Sequence, residues 1–487
     1  MLFNSLDFAI FFPIIFILYW AISRNITARN ILLLVASYVF YGWWDWRFLF
    51  LIFISSVVDF IVGKKIYQTE NKQKRKQLLL VSLLVNLGFL AYFKYANFFI
   101  ETFVDSFRLF GKELEVSTLN IILPVGISFY TFQTLSYTID IYRKQLEPSK
   151  GPLPFFTFVA FFPQLVAGPI ERASHLLPQF YTKHKFDYNQ VKSGVLLMAF
   201  GLFKKMVIAD RVSILVNQVY NNPEGYQGYE IILATILFAF QIYCDFSGYS
   251  DIAIGAGRTM GFDLMKNFRS PYLSKSLTEF WRRWHISLST WFRDYVYIPL
   301  GGSKHGKYNT YRNLFLVFLI SGLWHGAAMT FIIWGTIHGV IIVMEKAFTA
   351  QRNKVAAVLG VDKKSVSRKI FYIGVTFTVV CFAWIFFRAN SLSDSMVIIK
   401  NGTYLNWSQV LNFYKLGLNP QEFWTAFIAI FLLVLFEWTH QKTSFTKQLS
   451  AQPLVFRWVF YLMIVFALII FGVYGDMAPK EFIYFQF

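Results

Sequence analysis

This chain of 487 residues has few charged side chains and very few cysteines, and both shortages restrict what it can be. Charged residues make up 15% of the sequence, and the only two cysteines, Cys244 and Cys381, lie in apolar surroundings. Two separate cysteines offer neither a disulfide framework nor a cluster of metal ligands, so we expect small buried side chains and no metal site. The chain also lacks a solvated basic domain, which excludes nucleic-acid binding.

What the chain has in excess is apolar and aromatic residues. They account for 56% and 20% of the sequence, and the mean hydropathy is +0.46. No soluble domain carries so much apolar surface, so the composition predicts an all-α integral membrane protein. The first apolar run, 8–22, lacks a basic leader and a small-residue cleavage site, and we interpret it as a retained helix. Without an internal repeat or a second domain, 1–487 is interpreted as a single polytopic domain.

The apolar runs predict roughly twelve crossings and one re-entrant segment, 155–167, which is short and surrounded by prolines. The predicted crossings are 6–23, 31–43, 47–62, 78–99, 118–139, 192–209, 229–247, 313–325, 329–344, 371–387, 423–439 and 456–474. Three loops are strongly basic and are therefore assigned to the cytoplasm: 64–76, 258–312 and 346–369, with six, ten and seven basic residues. If successive crossings alternate in direction, the twelve predicted crossings place all three loops in the cytoplasm only when both termini lie outside the cell.

His325 is the most unusual side chain, because the surrounding stretch, 314–344, is almost wholly apolar. The stretch is long enough for two short crossings, with a break at Trp324, His325 and Gly326. An ionisable side chain at bilayer depth is costly, which makes His325 a candidate for a functional site. Taken alone, it could equally be a neutral imidazole hydrogen-bonded to a neighbouring helix, the interpretation that we prefer for His338.

The basic segment 258–312 is the second unusual region. Apolar side chains recur in it at three- and four-residue spacing with arginines between them: Phe280, Trp281, Trp284, Leu288, Trp291 and Phe292, interleaved with Arg282, Arg283 and Arg293. Such a segment can lie in the membrane interface with its aromatics buried and its arginines wet, and a plain anchor helix is the alternative. His285 lies within it. Upstream, Asp245 and Asp251 either neutralise nearby arginines or are solvated.

Several motifs in a fixed order resemble the membrane-bound O-acyltransferase (MBOAT) family, in its alginate O-acetyltransferase-like bacterial branch. They are LFNS at 2–5, FFPQLVAGPI at 161–170, DFSGYSDIAIG at 245–255, WRRWH at 281–285, RDYVYIPLGG at 293–302 and SGLWHGA at 321–327. The resemblance covers nearly the whole chain and implies membrane helices around a central tunnel. It implies that the family's near-invariant histidine is His325 and that its second motif histidine is His285, and we expect both to be catalytic residues.

The resemblance also implies a reaction at the bacterial inner membrane. An acetyl group would pass from a cytosolic thioester, acetyl-CoA or another, to an extracellular polysaccharide, either directly or through an extracytoplasmic acetyltransferase- or esterase-like partner. No permanently bound cofactor is implied. His325 is suited to be the general base, because an imidazole can accept a hydroxyl proton near neutral pH. The expected donor-binding residues are Trp281, Arg282, Arg283, Trp284 and Arg293, and the expected supporting residues are Asp245, Asp251, Trp324 and Gly326.

The C-terminus carries a further candidate. Phe482, Tyr484 and Phe487 resemble the C-terminal aromatic motif of this branch, which implies that the Tyr484 hydroxyl accepts and relays the acyl group. The alternative is an interfacial aromatic belt. Lys204 and Lys205, which interrupt an apolar run, either contact donor phosphates or snorkel to the surface.

Other functions remain open at this stage. The same fold would suit a lipid or protein acyltransferase, and a non-catalytic transporter or scaffold of a polysaccharide export complex is the alternative from another class. The absence of a repeat disfavours the transporter. The remaining histidines are expected to be solvated in loops: His175, His184, His305 and His440.

Overall fold

The structure, a computed structural model, describes residues 1–108, 119, 121–358, 362, 365–405, 416–440, 445–475 and 483. Every regular element within these ranges is helical, which confirms the all-α class. Seven helical stretches of this described part are long and apolar enough to cross a membrane. The chain forms two compact units, 1–198 with 252–265, and 199–251 with 266–487. A single polytopic domain stays a prediction, as do the full number of crossings and the orientation of the termini.

The first unit consists of helices that cover the predicted crossings, with one exception, but several extend five or more residues past the predicted bounds, as at 26–45, 49–68 and 72–108. They are α1 (Leu6–Ile22), α2 (Ile26–Asp45), α3 (Leu49–Gln68), α4 (Lys72–Leu90), α5 (Ala96–Arg108), α6 (Ile127–Tyr142), α7 (Pro152–Ala160), α8 (Phe162–Leu165), α9 (Ala173–Leu176) and most of α10 (Tyr188–Leu202). The exception is α6, which starts well after the predicted residue 118. Gly126 precedes it with a φ of 74°, a left-handed conformation that favours glycine and ends regular structure.

The proline-rich stretch 155–167 does not cross as one helix, as predicted. It forms α7 and α8, of nine and four residues, which are too short to span a bilayer. The break at Phe161 releases backbone groups that protein side chains satisfy. The amides of Gln133 and Gln164 both donate to the Phe158 carbonyl, each at 2.9 Å. The side chains around the break are buried, which suits a segment enclosed by protein rather than lipid.

Two loop histidines of the first unit are held by partners rather than solvated. His175 Nδ1 lies 2.9 Å from the buried Glu171 carboxylate, and His184 Nδ1 lies 2.8 Å from the Tyr19 hydroxyl. The prediction that these two side chains are solvated is therefore wrong. Glu171 is only four positions from His175, but Tyr19 is 165 positions from His184, beyond the reach of a local pattern.

The second unit contains the remaining helices and the predicted catalytic residues. Its helices are most of α12 (Tyr229–Thr259), with α11 (Asp210–Tyr220), α13 (Leu277–Trp281), α14 (Ile286–Phe292), α15 (Gly306–His325), α16 (Met329–Ala347), α17 (Thr349–Val358), α18 (Val366–Arg388), α19 (Leu392–Gly402), α20 (Pro420–Thr439), α21 (Phe445–Ser450) and α22 (Leu454–Phe471). Between α10 and α11 the chain makes a π-helical stretch, 203–209. Helix α12 continues past its predicted end at 247, because its polar residues are paired inside the protein.

The basic segment is not one amphipathic helix. It is divided into α13, α14 and a π-helical stretch, 293–297, that precedes the glycine turn before α15. Its apolar side chains are nonetheless buried as expected: Phe280, Trp281, Trp284, Leu288, Trp291 and Phe292. Arg282 and Arg293 are exposed. The predicted division into buried aromatics and wet arginines is therefore confirmed, although the helix that carries them is broken at His285.

Candidate active site

His325 is the last residue of α15 and is 4% exposed. Aromatic rings surround it, with ring centroids of Trp324 and Trp334 each 4.9 Å away and that of Phe387 5.3 Å away. Three helices or their ends supply these rings, so the imidazole is fixed on several sides. Such an enclosure holds the ring away from bulk water, and an imidazole in its neutral form can accept a proton.

Close packing of α15 against α16 holds this histidine in place, and glycine makes the packing possible. A methyl group on Gly322 would lie 2.4 Å from the Phe331 carbonyl oxygen, and one on Gly335 would lie 2.4 Å from that of Phe318. Both obstacles are backbone atoms, so larger residues would force the helices apart. Gly326, predicted to support the site, requires glycine because of a side chain rather than the backbone. A Cβ atom at this position would lie 2.1 Å from the ring of Phe331.

His285 lies in the break between α13 and α14 and is completely buried. Its φ of 42° is left-handed, an uncommon conformation for a residue with a side chain. The flanking backbone explains it, because the Ile286 amide donates to the Asn267 carbonyl at 2.8 Å and the Arg269 amide donates to the Arg283 carbonyl at 2.9 Å. The chain must turn sharply at His285 to make both bonds. Burial lowers the pKa of His285 to about 3, so its ring is neutral at physiological pH.

Trp324 brings the two predicted histidines into one cluster. Its indole lies 6.2 Å from the ring of His285, nearly parallel at 29°, and 4.9 Å from the ring of His325. Phe246 covers His285 at 4.7 Å. The structure therefore assembles His285, Trp324 and His325 from α14, α15 and their neighbours, as the sequence analysis expected, with an aromatic ring between the histidines.

A third histidine, His338, belongs to the same aromatic cluster. Its Nδ1 accepts a hydrogen bond of 3.2 Å from the Trp281 indole, and its ring lies 4.8 Å from that of Trp334. This confirms the expectation that His338 is hydrogen-bonded inside the bundle. Trp334 contacts both His325 and His338, so one indole joins them. The sequence signal was the four-residue spacing of Trp334 and His338 on α16.

A cavity of about 530 Å³ lies beside this cluster. Basic side chains line part of it: Arg282, Arg293, Lys346 and Arg352. Trp281 and Ser321 also line it, and Ser321 lies one helical turn before His325 on α15. The cavity thus joins positive charge to a wall near the histidine cluster. Neither His325 nor His285 is among its lining residues, because Trp281 and Trp334 stand between the cavity and His325.

The five predicted donor-binding residues divide into two groups. Trp281, Arg282 and Arg293 line the cavity. Arg283 and Trp284 do not: the Arg283 guanidinium pairs with Glu279 at 2.7 Å, and Trp284 is 1% exposed within the aromatic core. The turn between α13 and α14 explains the division, since Arg282, Arg283 and Trp284 follow the end of α13 and the chain changes direction there. A residue that the sequence analysis missed is Glu345, a lining residue whose carboxylate accepts the Leu277 amide at 2.7 Å and so holds the start of α13.

The predicted supporting acids, Asp245 and Asp251, face lysines rather than arginines. Lys204 Nζ lies 2.5 Å from Asp251 and 2.9 Å from the Ser247 hydroxyl. Lys205 Nζ lies 2.7 Å from Asp245. Both lysines are 3% exposed, so they do not snorkel, and neither lines the cavity described above. Two lysines inside an apolar run, with acids on another apolar helix, were the sequence signal for such pairs.

Tyr484 lies outside the described residues, so its role as a relay stays a prediction. Its neighbour Ile483 is described, is 3% exposed, and donates its backbone N–H to Asp245 Oδ2 at 2.8 Å. The described residues contain no group of three or more histidine, cysteine or acidic side chains that could hold a metal ion.

Comparison with known proteins decides the family. The family described as MBOAT, membrane-bound O-acyltransferase family, matches residues 148–387. The "Probable alginate O-acetylase AlgI" of Pseudomonas syringae pv. tomato is 42% identical over 397 residues, which are 80% of this chain and 73% of that protein. The chain belongs to the membrane-bound O-acyltransferase family. The resemblance drawn from the motifs is therefore confirmed, and the protein is an acyltransferase rather than a transporter or scaffold.

Two further relatives show how broad the reaction class of such membrane-bound O-acyltransferases is. The peptidoglycan O-acetyltransferase of Helicobacter pylori is 35% identical over 436 residues, 83% of this chain and 80% of that protein. The teichoic acid D-alanyltransferase of Bacillus subtilis is 29% identical over 288 residues, 55% of this chain and 69% of that protein. By their names, the three relatives act on alginate, peptidoglycan and teichoic acid, and the group transferred is acetyl in two of them and D-alanyl in the third.

Proposed function

We propose that this membrane-bound O-acyltransferase takes an acetyl group from acetyl-CoA on the cytoplasmic side and delivers it for O-acetylation of an extracellular polysaccharide. The observation that carries the proposal is the cavity beside the histidine cluster, with four basic side chains and Ser321 in its walls. Acetyl-CoA is a polyanion with a reactive thioester at the end of a long arm. Arginine guanidinium groups suit its phosphates, and the arm would point past Ser321 toward His325.

The chemistry assigned to His325 is general base catalysis. Its neutral imidazole takes the proton of an acceptor hydroxyl while the hydroxyl oxygen attacks the thioester carbonyl carbon. The tetrahedral intermediate then collapses with cleavage of the carbon–sulfur bond, and the imidazolium returns the proton to the departing thiolate. The ester and free CoA are the products, and no further reactant is needed. A positioned base of this kind contributes about 10²–10⁴-fold to the rate.

Access to His325 from the cavity requires movement of an aromatic side chain. Trp281 lines the cavity and packs on Trp334 at 5.6 Å, and Trp334 packs on His325. Donor binding that displaces Trp281 would break its hydrogen bond to His338 and open the wall. In this proposal His285, neutral and buried next to Trp324, is a positioning residue for the cluster rather than a second base.

The acceptor side of the proposal rests on the relatives and on the C-terminus. By their names, two of the relatives act on alginate and peptidoglycan, so we assign the acceptor to the extracytoplasmic face, with an acetyltransferase- or esterase-like protein as the partner that completes the transfer. Tyr484 is the predicted relay, its phenolic oxygen accepting the acetyl group before the partner takes it. A lipid or protein acceptor is the alternative that acceptor assays would reveal.

The test uses the full chain in nanodiscs with radiolabelled acetyl-CoA, and measures donor binding and acetyl transfer separately. His325→Ala should retain donor binding and lose at least about 10²-fold in transfer, because only the base is removed. His305→Ala is the matched control, since His305 is exposed and lies away from the cluster, and it should transfer normally. Transfer by His325→Ala at the rate of the control would refute the proposed base. If neither the parent nor the His305→Ala control binds acetyl-CoA, the proposed donor is refuted.

A further inference from the structure

Around Lys205, the second unit buries two acidic side chains but only one basic side chain. Lys205 Nζ lies 2.8 Å from Asp210 and 2.7 Å from Asp245, and none of the three side chains is more than 4% exposed. We call Lys205, Asp210 and Asp245 the lysine triad. One ammonium cannot balance two carboxylates, so the triad carries a surplus negative charge when both acids are ionised. A buried carboxylate in this position needs further hydrogen-bond donors, because desolvation penalises its charged form.

The neighbouring lysine does not supply that balance. Lys204 is engaged with Asp251 at 2.5 Å and with the Ser247 hydroxyl at 2.9 Å, which makes a one-to-one pair. A backbone amide from far along the chain does reach the triad: Ile483 N–H donates to Asp245 Oδ2 at 2.8 Å. Hydrogen bonds to charged acceptors are stronger than those between neutral groups, so this bond is a substantial anchor.

A second attachment ties the chain to the same neighbourhood just after α22. The Arg211 guanidinium donates to the Phe471 carbonyl at 2.6 Å, and the Val473 amide donates to the Met206 carbonyl at 3.1 Å. Met206 directly follows Lys205 in the sequence, and Arg211 directly follows Asp210. The chain beyond α22 is therefore attached near Lys205 at its beginning and again at Ile483, which is itself 3% exposed.

We propose that the lysine triad is the docking site of the chain at Ile483, and that Asp245 uses the Ile483 amide to stabilise the surplus charge of the triad. Two buried acids around one lysine are costly unless a further hydrogen-bond donor reaches them. The need to bind such a donor would explain why the second acid is there. Asp245 is then a positioning residue for Ile483. The proposal concerns contacts within the chain and does not depend on the proposed acetyl donor or acceptor.

Thiol accessibility at position 483 tests the docking directly. Ile483→Cys is made in a chain whose buried native thiols are removed by Cys244→Ala and Cys381→Ala, and its labelling by a maleimide is timed in detergent solution. Asp245→Ala should accelerate labelling about tenfold or more, because a hydrogen bond to a charged group is lost. Asp251→Ala, the matched control, removes the acid of the neighbouring pair without touching Ile483 and should leave the rate within about twofold.

Two outcomes would overturn the proposal: unchanged labelling in Asp245→Ala, or equal acceleration in Asp251→Ala, which would mean general loosening. A second measurement covers the case in which Asp245→Ala folds poorly, using Asp245→Asn, which retains the side-chain volume but not the charge. Deletion of residues 483–487 should lower the melting temperature more in the parent than in Asp245→Asn. The deletion and the substitution both weaken the bond between the Ile483 N–H and Asp245, so their effects should not add. Equal losses in both backgrounds would refute the coupling.

Discussion

At the scale of single residues, the site contains three buried histidines with different surroundings. His325 is enclosed by rings at the end of a helix, His338 accepts an indole N–H, and His285 occupies a left-handed turn. Each of the three lies within one helical turn of a residue that lines the cavity, so the proposal of His325 as the base rests on the SGLWHGA motif that it carries. His285 is neutral because burial lowers its pKa to about 3.

The neutrality of His285 gives a pH prediction. A group with a pKa of about 3 binds a proton only below about pH 4, so it does not titrate between pH 5 and 8. His285→Asn should therefore lower the transfer rate by less than about 10²-fold and leave the midpoint of the pH–rate profile unchanged. The profile is measured as kcat/KM for acetyl-CoA from pH 5 to 9. Disappearance of the acidic limb in this variant would identify His285 as the titrating base.

At the scale of elements, the α15–α16 hairpin determines where the cluster forms. Where the two helices pack closely, at Gly322 and Gly335, backbone carbonyl groups of the opposite helix fill the space that a side chain would occupy. Helix α13 is set against the same hairpin by Glu345, which holds the Leu277 amide and also lines the cavity. The cavity wall and the histidine cluster are thus built on shared helices, so separation of α15 from α16 would alter both.

Gly335→Ala tests the hairpin. Alanine is a better helix former than glycine by about 1 kcal/mol, so an effect of propensity alone would stabilise the protein. The added methyl would lie 2.4 Å from the Phe318 carbonyl oxygen, and we expect a lower melting temperature and slower transfer. Gly374→Ala on α18 is the control, since nothing lies within 4 Å of its added methyl. If both variants melt at or above the parent's temperature, the close packing is not essential.

At the scale of the whole molecule, an excess of basic residues in three loops predicts which side faces the cytoplasm. The donor proposal depends on this orientation, because acetyl-CoA is available only inside the cell. The cavity's basic side chains come from the loops 258–312 and 346–369, two of the three basic loops. A membrane-bound O-acyltransferase with this orientation can accept a cytosolic donor while its acceptor stays outside.

Cysteine labelling in intact cells tests the orientation. Lys304→Cys, an exposed position in the basic loop, should react with a permeant thiol reagent and resist an impermeant one. Lys400→Cys is the matched control, because it is exposed on α19 and alternate counting places it outside. It should react with both reagents. Reaction of Lys304→Cys with the impermeant reagent would invert the topology and remove the argument for a cytosolic donor.

The sequence by itself determined the class of the protein and the residues worth examining. Hydropathy and helical spacing are local properties, so the composition predicted an all-α membrane protein and the approximate positions of most helices, and consecutive motifs identified the family. His325 was conspicuous because a polar ring in an apolar run is costly wherever the run is placed. The burial of Trp281 and the exposure of Arg282 and Arg293 also followed from local spacing.

Only the tertiary structure decided which distant residues meet. Lys205 and Asp245 are 40 positions apart in sequence, and Ile483 is 238 positions from the acid that it contacts. The left-handed turn at His285 depends on Asn267, and Trp324 comes between two histidines because α14 and α15 pack together. Contacts of this kind arise from packing and charge compensation between separate helices, and no local pattern contains them. The same reason explains why the cavity is lined by Trp281 but not by Trp284, although spacing predicted that both are buried.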